Sequence, residues 1–221
     1  MNRLFVLLAL LAAGAQATAT TYDDVQPCDP IDPLSAQSHD FNDSTLHQLL
    51  ITVETNHFTP EVERLEQGLT APLPRDIAFV LRAFPNHYRA LNAMARWQIA
   101  NKPPHDSRAG FWTADCYFLR ASVFLPKDAT VHVIYGVYLH RAKRLAEAAH
   151  EYETAEGLGA QGADFYYNRG LLEIDLGNLD KASEYADRAY GLGHPLPGLR
   201  DKLKRARAAA GRPQPAPSRA P

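Results

Sequence analysis

The stretch Ala163-Asp164-Phe165-Tyr166-Tyr167-Asn168-Arg169-Gly170-Leu171-Leu172-Glu173-Ile174-Asp175-Leu176-Gly177-Asn178-Leu179-Asp180-Lys181-Ala182, followed by Tyr185 and Ala189, decides how the chain reads. Its apolar residues recur at helical spacing as far as Gly177-Asn178, a helix exit, and resume at Leu179. The spacing predicts helices over 163–176 and 179–191. The same small residues stand 34 positions earlier: Gly136 for Gly170, Ala148 for Ala182, Ala155 for Ala189. One further period back, Ala114 and Ala121 join the alanine series and Phe118 matches Tyr152. Pro126 closes the earliest unit, and His194-Pro195 closes the last with its proline shifted by one. Two antiparallel helices that approach closely need small residues at the crossing. Large rings (Phe118, Tyr135, Tyr152, Tyr166) then fill the holes between units. A fixed period of this length is the mark of a repeat architecture.

At these residues the sequence resembles the tetratricopeptide repeat family. The resemblance implies an all-α fold, a tetratricopeptide-like right-handed helical solenoid of about three repeats with flanking capping helices. The units run 88–128, 129–162 and 163–196. Unit 163–196 departs from the family at Ala186, where a large aromatic is usual. Unit 129–162 has Lys143 where a second glycine is common. Unit 88–128 is longer, and its extra residues fall in the loop 100–110. The resemblance also implies a function and a site. The first helix of each unit lines a groove, which here carries Arg89, Asn92 and Arg96, then Val133, Val137 and His140, then Tyr167, Asn168 and Leu171. An apolar centre with a basic N-terminal end suits a peptide or protein partner with an apolar anchor and an acidic end. The competing reading is that these apolar residues pack against capping helices and leave no open groove.

Outside the units the pattern weakens. Residues 1–19 carry Arg3, an apolar run from Leu4 to Ala13 and small residues around Ala17, the three parts of a secretory signal peptide. That run is about half the ~20 residues needed to span a bilayer. The expectation is a periplasmic or secreted protein with no stable membrane anchor once the signal is cleaved. Residues 20–43 form a Pro- and Asp-rich extended arm. Residues 44–85 hold N-terminal helices and a degenerate half-repeat: a short helix over 44–55, one that starts at Thr59-Pro60-Glu61 and carries Val62, Leu65 and Leu69, and an apolar stripe from Ile77 to Phe84 after the chain-breaking Pro72 and Pro74. Residues 197–210 read as a basic capping helix, and 211–221 as a disordered proline-rich tail.

Composition excludes more than it selects. The 221 residues are 46% hydrophobic and 22% charged, as in folded soluble chains. Net charge is −2, so nucleic acid is not an expected partner. Two cysteines, Cys28 and Cys116, are too few for a four-cysteine zinc site. In an oxidising compartment they either form a disulfide or remain separate thiols, with Cys116 buried beside Tyr117 and Phe118. His132 and His140 share a helix face but stand ~12 Å apart, too far to grip one ion. Metal-ligand, nucleophile-elbow and phosphate-loop motifs are absent, and no cofactor is expected. The function expected is therefore binding, not catalysis. The alternatives are a binder of a small anionic ligand or cell-wall fragment through Arg89, Arg96 and His140, a structural subunit of an envelope assembly, and an enzyme with an unrecognised site around Cys116, His105 and Asp115.

Overall fold

A computed structural model describes Cys28, residues 38–102 and residues 110–211. The signal peptide, most of the arm, the core of the 100–110 loop with His105, and residues 212–221 lie outside the described residues. Those described are helical and contain no strand. A short 3-10 turn, Ser44–Leu46, precedes α1 (His47–His57), α2 (Pro60–Glu63), α3 (Leu73–Ala83) and α4 (Tyr88–Asn101). Next come α5 (Ala114–Phe124), α6 (Ala129–Arg141), α7 (Leu145–Gly157), α8 (Ala163–Asp175), α9 (Leu179–Gly191) and α10 (Gly198–Ala210).

The helices form two layers. In one, α4, α6, α8 and α10 touch in succession. In the other, α5 packs between α4 and α6, α7 between α6 and α8, and α9 between α8 and α10. The 34-residue period is visible in the hydrogen bonds. Arg144 N–H donates to the Leu139 carbonyl at 2.9 Å, and Asn178 N–H to the Glu173 carbonyl at 2.8 Å. Likewise Ala160 N–H donates to Ala155, and His194 N–H to Ala189. Each is the long bond of a helix exit that turns through a left-handed residue. That residue is Gly177 (φ 83°) after α8, but Lys143 (φ 65°) after α6. A side chain there costs about 1–2 kcal/mol.

Burial follows the same register. Ala114, Ala148 and Ala182 are fully buried, as are Ala121, Ala155 and Ala189; Val131, Phe165 and Leu199 are also inside. A Cβ on Gly136 would meet the Tyr152 ring at 3.1 Å. At Gly170 the space is taken differently, by Leu199 of α10 and the Tyr185 Cβ. The small Ala186, in the place Tyr152 holds one unit earlier, belongs to a separate apolar cluster with Ile174, Ala182, Leu199 and Leu203.

The N-terminal segments depart from expectation. The first helix runs Ser44–His57 once its 3-10 turn is included, two residues beyond 44–55. Asp43 caps it by accepting from Thr45 N–H. The helix expected to carry Val62 through Leu69 stops at Glu63, because Leu65 turns left-handed (φ 65°). The Thr59 side chain makes no cap bond. Gly68 is no helix end: a Cβ there would sit 1.8 Å from the Ala71 carbonyl oxygen. Asp76 organises the turn instead, accepting from the N–H groups of Leu69, Thr70 and Ala71 (2.6, 3.0 and 3.2 Å), from the Thr70 hydroxyl, and facing His57 at 3.1 Å. Pro74 does not break the chain; it sits in the first turn of α3, where its missing N–H is harmless. Cys28 and Cys116 are joined in a disulfide, which Trp112 packs against.

Candidate interaction surface

On α6 the side chains fall into two arcs. Val131, Tyr135, Gly136 and Leu139 face α5 and α7 and are buried. Thr130, Val133, Val137, His140 and Arg141 occupy the opposite arc, where Val133, Val137 and His140 are half-buried and Thr130 and Arg141 exposed. The neighbours of this arc are α4 and α8, so the predicted residues of all three helices lie along one layer.

Its N-terminal end is less basic than the sequence suggests. The Arg89 guanidinium donates to both carboxylate oxygens of Glu63 and to Glu54 (3.2 Å). Bonding to Arg89 holds the Glu63 carboxyl below the usual range, and the same bond raises the Arg89 pKa. Arg96 donates to the Glu63 carbonyl, and Asn92 is exposed. Glu54 also accepts from His87, which is fully buried. His87 Nδ1 accepts from Ala90 N–H and caps α4, so the proton resides on Nε2, the atom facing Glu54 at 3.0 Å. Burial pushes the His87 pKa down despite that carboxylate.

At the centre, Asp175 of α8 joins three helices. It faces His140 Nε2 of α6 at 2.9 Å and accepts from Lys202 of α10 at 2.5 Å. Burial lowers the His140 pKa. Toward the C-terminal end the Tyr167 ring stacks on His194 at 3.8 Å, and His194 reaches Asp164 at 3.3 Å. Asn168 donates to the Asp164 carbonyl, and Leu171 packs against the cluster of Ile174, Leu199 and Leu203. Among the predicted residues Asn92 is exposed and Val133 and Val137 are half-buried on this arc, whereas Arg89, Arg96 and His140 are bonded within the chain, Tyr167 is stacked on His194, and Leu171 is partly claimed by α10. Glu54 and Glu63, whose carboxylates pair with Arg89, lie outside any repeat and carry no sequence signal; the Glu63 carbonyl accepts from Arg96.

The other candidates resolve into internal contacts. The Cys116 sulfur is bonded to Cys28 and is not a free nucleophile. Asp115 accepts from the hydroxyls of Tyr135 and Tyr138 (2.9 and 3.0 Å) and from Arg144 at 2.5 Å, tying α5 to α6 and α7. Phe111 meets the Trp97 ring edge-on at 5.2 Å, which anchors the end of the long loop to α4. Among the described residues no group of three or more His, Cys, Asp or Glu side chains is placed to hold an ion, and no helix is long and apolar enough to cross a membrane. Compared with protein-family models, with curated proteins and with solved structures, the chain finds no match.

Proposed function

We propose that the chain is an exported tetratricopeptide-like interaction module that holds a segment of a partner protein along α4, α6 and α8. The observation that carries this reading is the arc of Val133 and Val137, half-buried between flanking helices and bordered by the polar groups of Asn92, Thr130, Tyr167 and Asn168. An apolar strip with hydrogen-bonding edges is what an extended or helical peptide needs. At one end Arg89, although paired with Glu63 and Glu54, is still half exposed. The Cys28–Cys116 bridge supports export, because such bonds persist in oxidising compartments.

Site-specific photocrosslinking tests the proposal. A photoreactive residue at Asn168 should trap a discrete partner in the native envelope, and one at Val123, exposed on α5, should not. Val137→Asp should abolish the adduct with helicity unchanged. Equal labelling from both positions, or an adduct that survives Val137→Asp, would refute it.

A further inference from the structure

We propose that the groove between α9 and α10 is a second docking site, one that accepts an acidic amphipathic helix of a partner protein. Ser183, Ala186, Asp187 and Tyr190 form one wall, and Arg200, Leu203, Lys204 and Arg207 the other, around about 460 Å³. Each set is spaced i, i+3, i+4, i+7, so the groove is the meeting of two complete helix faces. Its floor is apolar: Ala186 and Leu203 are buried and sit in one cluster with Leu199.

The repeat register says what this groove is for. Moving back 34 residues, Arg200, Lys204 and Arg207 correspond to Tyr166, Gly170 and Glu173 of α8. Those are positions on the side of α8 that receives α9: the Tyr166 ring and hydroxyl meet Arg188, and Gly170 is crossed by Tyr185. On the other wall, Asp187 and Tyr190 correspond to Glu153 and Glu156 of α7. Glu153 contacts Arg169 of α8, and Glu156 contacts Tyr185 and Arg188 of α9. The groove is thus the place the next second-layer helix would occupy. By sequence, the stretch in register with α9 begins at Pro213 and also holds Pro215, Pro217 and Pro221.

Charge selects the occupant. The helices that fill this position earlier are rich in acids: α7 carries Glu147, Glu151, Glu153 and Glu156, and α9 carries Asp180, Glu184 and Asp187. Glu151 of α7 faces His132 of α6 at 2.7 Å across that interface. On α10 the receiving face is cationic at three of its four positions, and Lys204 replaces the glycine that lets helices approach closely. Arg200 lies over the Tyr190 ring at 4.1 Å, and Arg207 reaches the fully exposed Asp180 only at 3.7 Å. Three exposed cations beside Asp187 and Asp180 favour a discrete set of carboxylates over a continuous polyanion. A helix with an alanine-leucine stripe and glutamates at i, i+4 and i+7 matches the floor and the rim.

The experiment uses the full chain and a fluorescein-labelled synthetic helix of that pattern, followed by fluorescence anisotropy. Saturable binding should weaken roughly fivefold or more in Lys204→Glu, further in Lys204→Glu/Arg200→Glu, and with added salt. A peptide with lysine for glutamate should not bind. Val137→Asp should leave binding unchanged, which separates this site from the face of α4, α6 and α8. Arg200 and Lys204 are exposed, and far-UV circular dichroism of each variant, Val137→Asp included, confirms that the fold persists. The proposal is overturned if no saturation is reached, if Lys204→Glu binds equally well, or if DNA or anionic vesicles compete as strongly as unlabelled peptide. It is also overturned if sedimentation shows a dimer that Lys204→Glu dissociates, because the groove would then serve a second copy of this chain.

Discussion

Replacing Cys28 and Cys116 together with alanine removes a crosslink between residues 88 positions apart. In the chain-entropy account, opening a loop of that size costs about 4.6 kcal/mol. Lost contact between the sulfurs and Trp112 adds roughly 1 kcal/mol. A domain of ordinary stability has about 5–15 kcal/mol in all, so the variant should be marginal. With a urea dependence of about 2 kcal/mol per molar, the midpoint should fall by roughly 3 M. The loss should also be local. The loop encloses α1–α4 and the first turn of α5, while α6–α10 lie outside it. In a stack where each helix meets only its neighbours, stability is close to a sum of local parts. Both tryptophans, Trp97 and Trp112, lie within the loop and report that half alone. Urea unfolding followed by tryptophan fluorescence should therefore shift further than unfolding followed by circular dichroism, whereas the two should nearly coincide in the oxidised protein. A shift below about 0.5 M by both probes would refute the reasoning, as would equal large shifts by both.

Three further outcomes are expected. Asp76→Asn should destabilise by about 2–3 kcal/mol in urea denaturation at pH 7, because the carboxylate satisfies three backbone N–H groups of the 69–71 turn. Burial alone would raise the Asp76 pKa, but hydrogen bonds from Thr70, His57 and the turn outweigh it and hold the carboxyl low, so its stabilisation is present above the unfolded value of about 3.9 and lost as pH falls through the lower folded one; the deficit of the variant should shrink there. Burial lowers the pKa of His87, so the unfolded chain takes up a proton first as pH drops below about 6.5; stability should decline from pH 7 toward 5, less steeply in His87→Asn, which retains a capping side chain. Lys143→Gly should raise stability by up to about 1 kcal/mol, measured by thermal unfolding, since it relieves a left-handed side chain that is largely exposed.

The helices from Ala129 to Ala210 were legible because each boundary has a local cause repeated at a fixed interval. Asp128 caps α6 through Thr130 and Val131, and the exits of α6 through α9 are built from the same pair of backbone bonds. The region before Tyr88 was not legible for the opposite reason. Nothing near Val62-Glu63-Arg64-Leu65 forbids another turn of helix; the chain leaves because Asp76, on the next helix, gathers the N–H groups of residues 69–71. The candidate surface divides in the same way. Val133 and Val137 share an arc of α6 opposite the buried Val131, Tyr135 and Leu139, as helical spacing requires. The engagement of Arg89 and Arg96 does not follow, because Glu54 and Glu63 sit 26–35 positions away in segments with no periodic signal.

The positions that break the period separate what this chain uses to fold from what it leaves for a partner. Where the register holds, as at Gly136 with Tyr152, each side chain is consumed by the next helix, and a substitution there changes stability before it changes binding. Ala186 and Lys204 break it at one place. A ring is missing from α9, Leu199 of α10 covers Gly170 in its stead, and a long cation stands where α6 and α8 have glycine. A helix packed on α10 as closely as α7 packs on α6 would meet the Lys204 side chain where α6 presents Gly136. The same lysine, with Arg200 and Arg207 beside it and an apolar floor beneath, remains able to draw in a negatively charged helix at greater distance, where Coulomb attraction outlasts close packing. In the proposed docking, the residue that breaks the register is thereby also the one that gives this face a preference among partners.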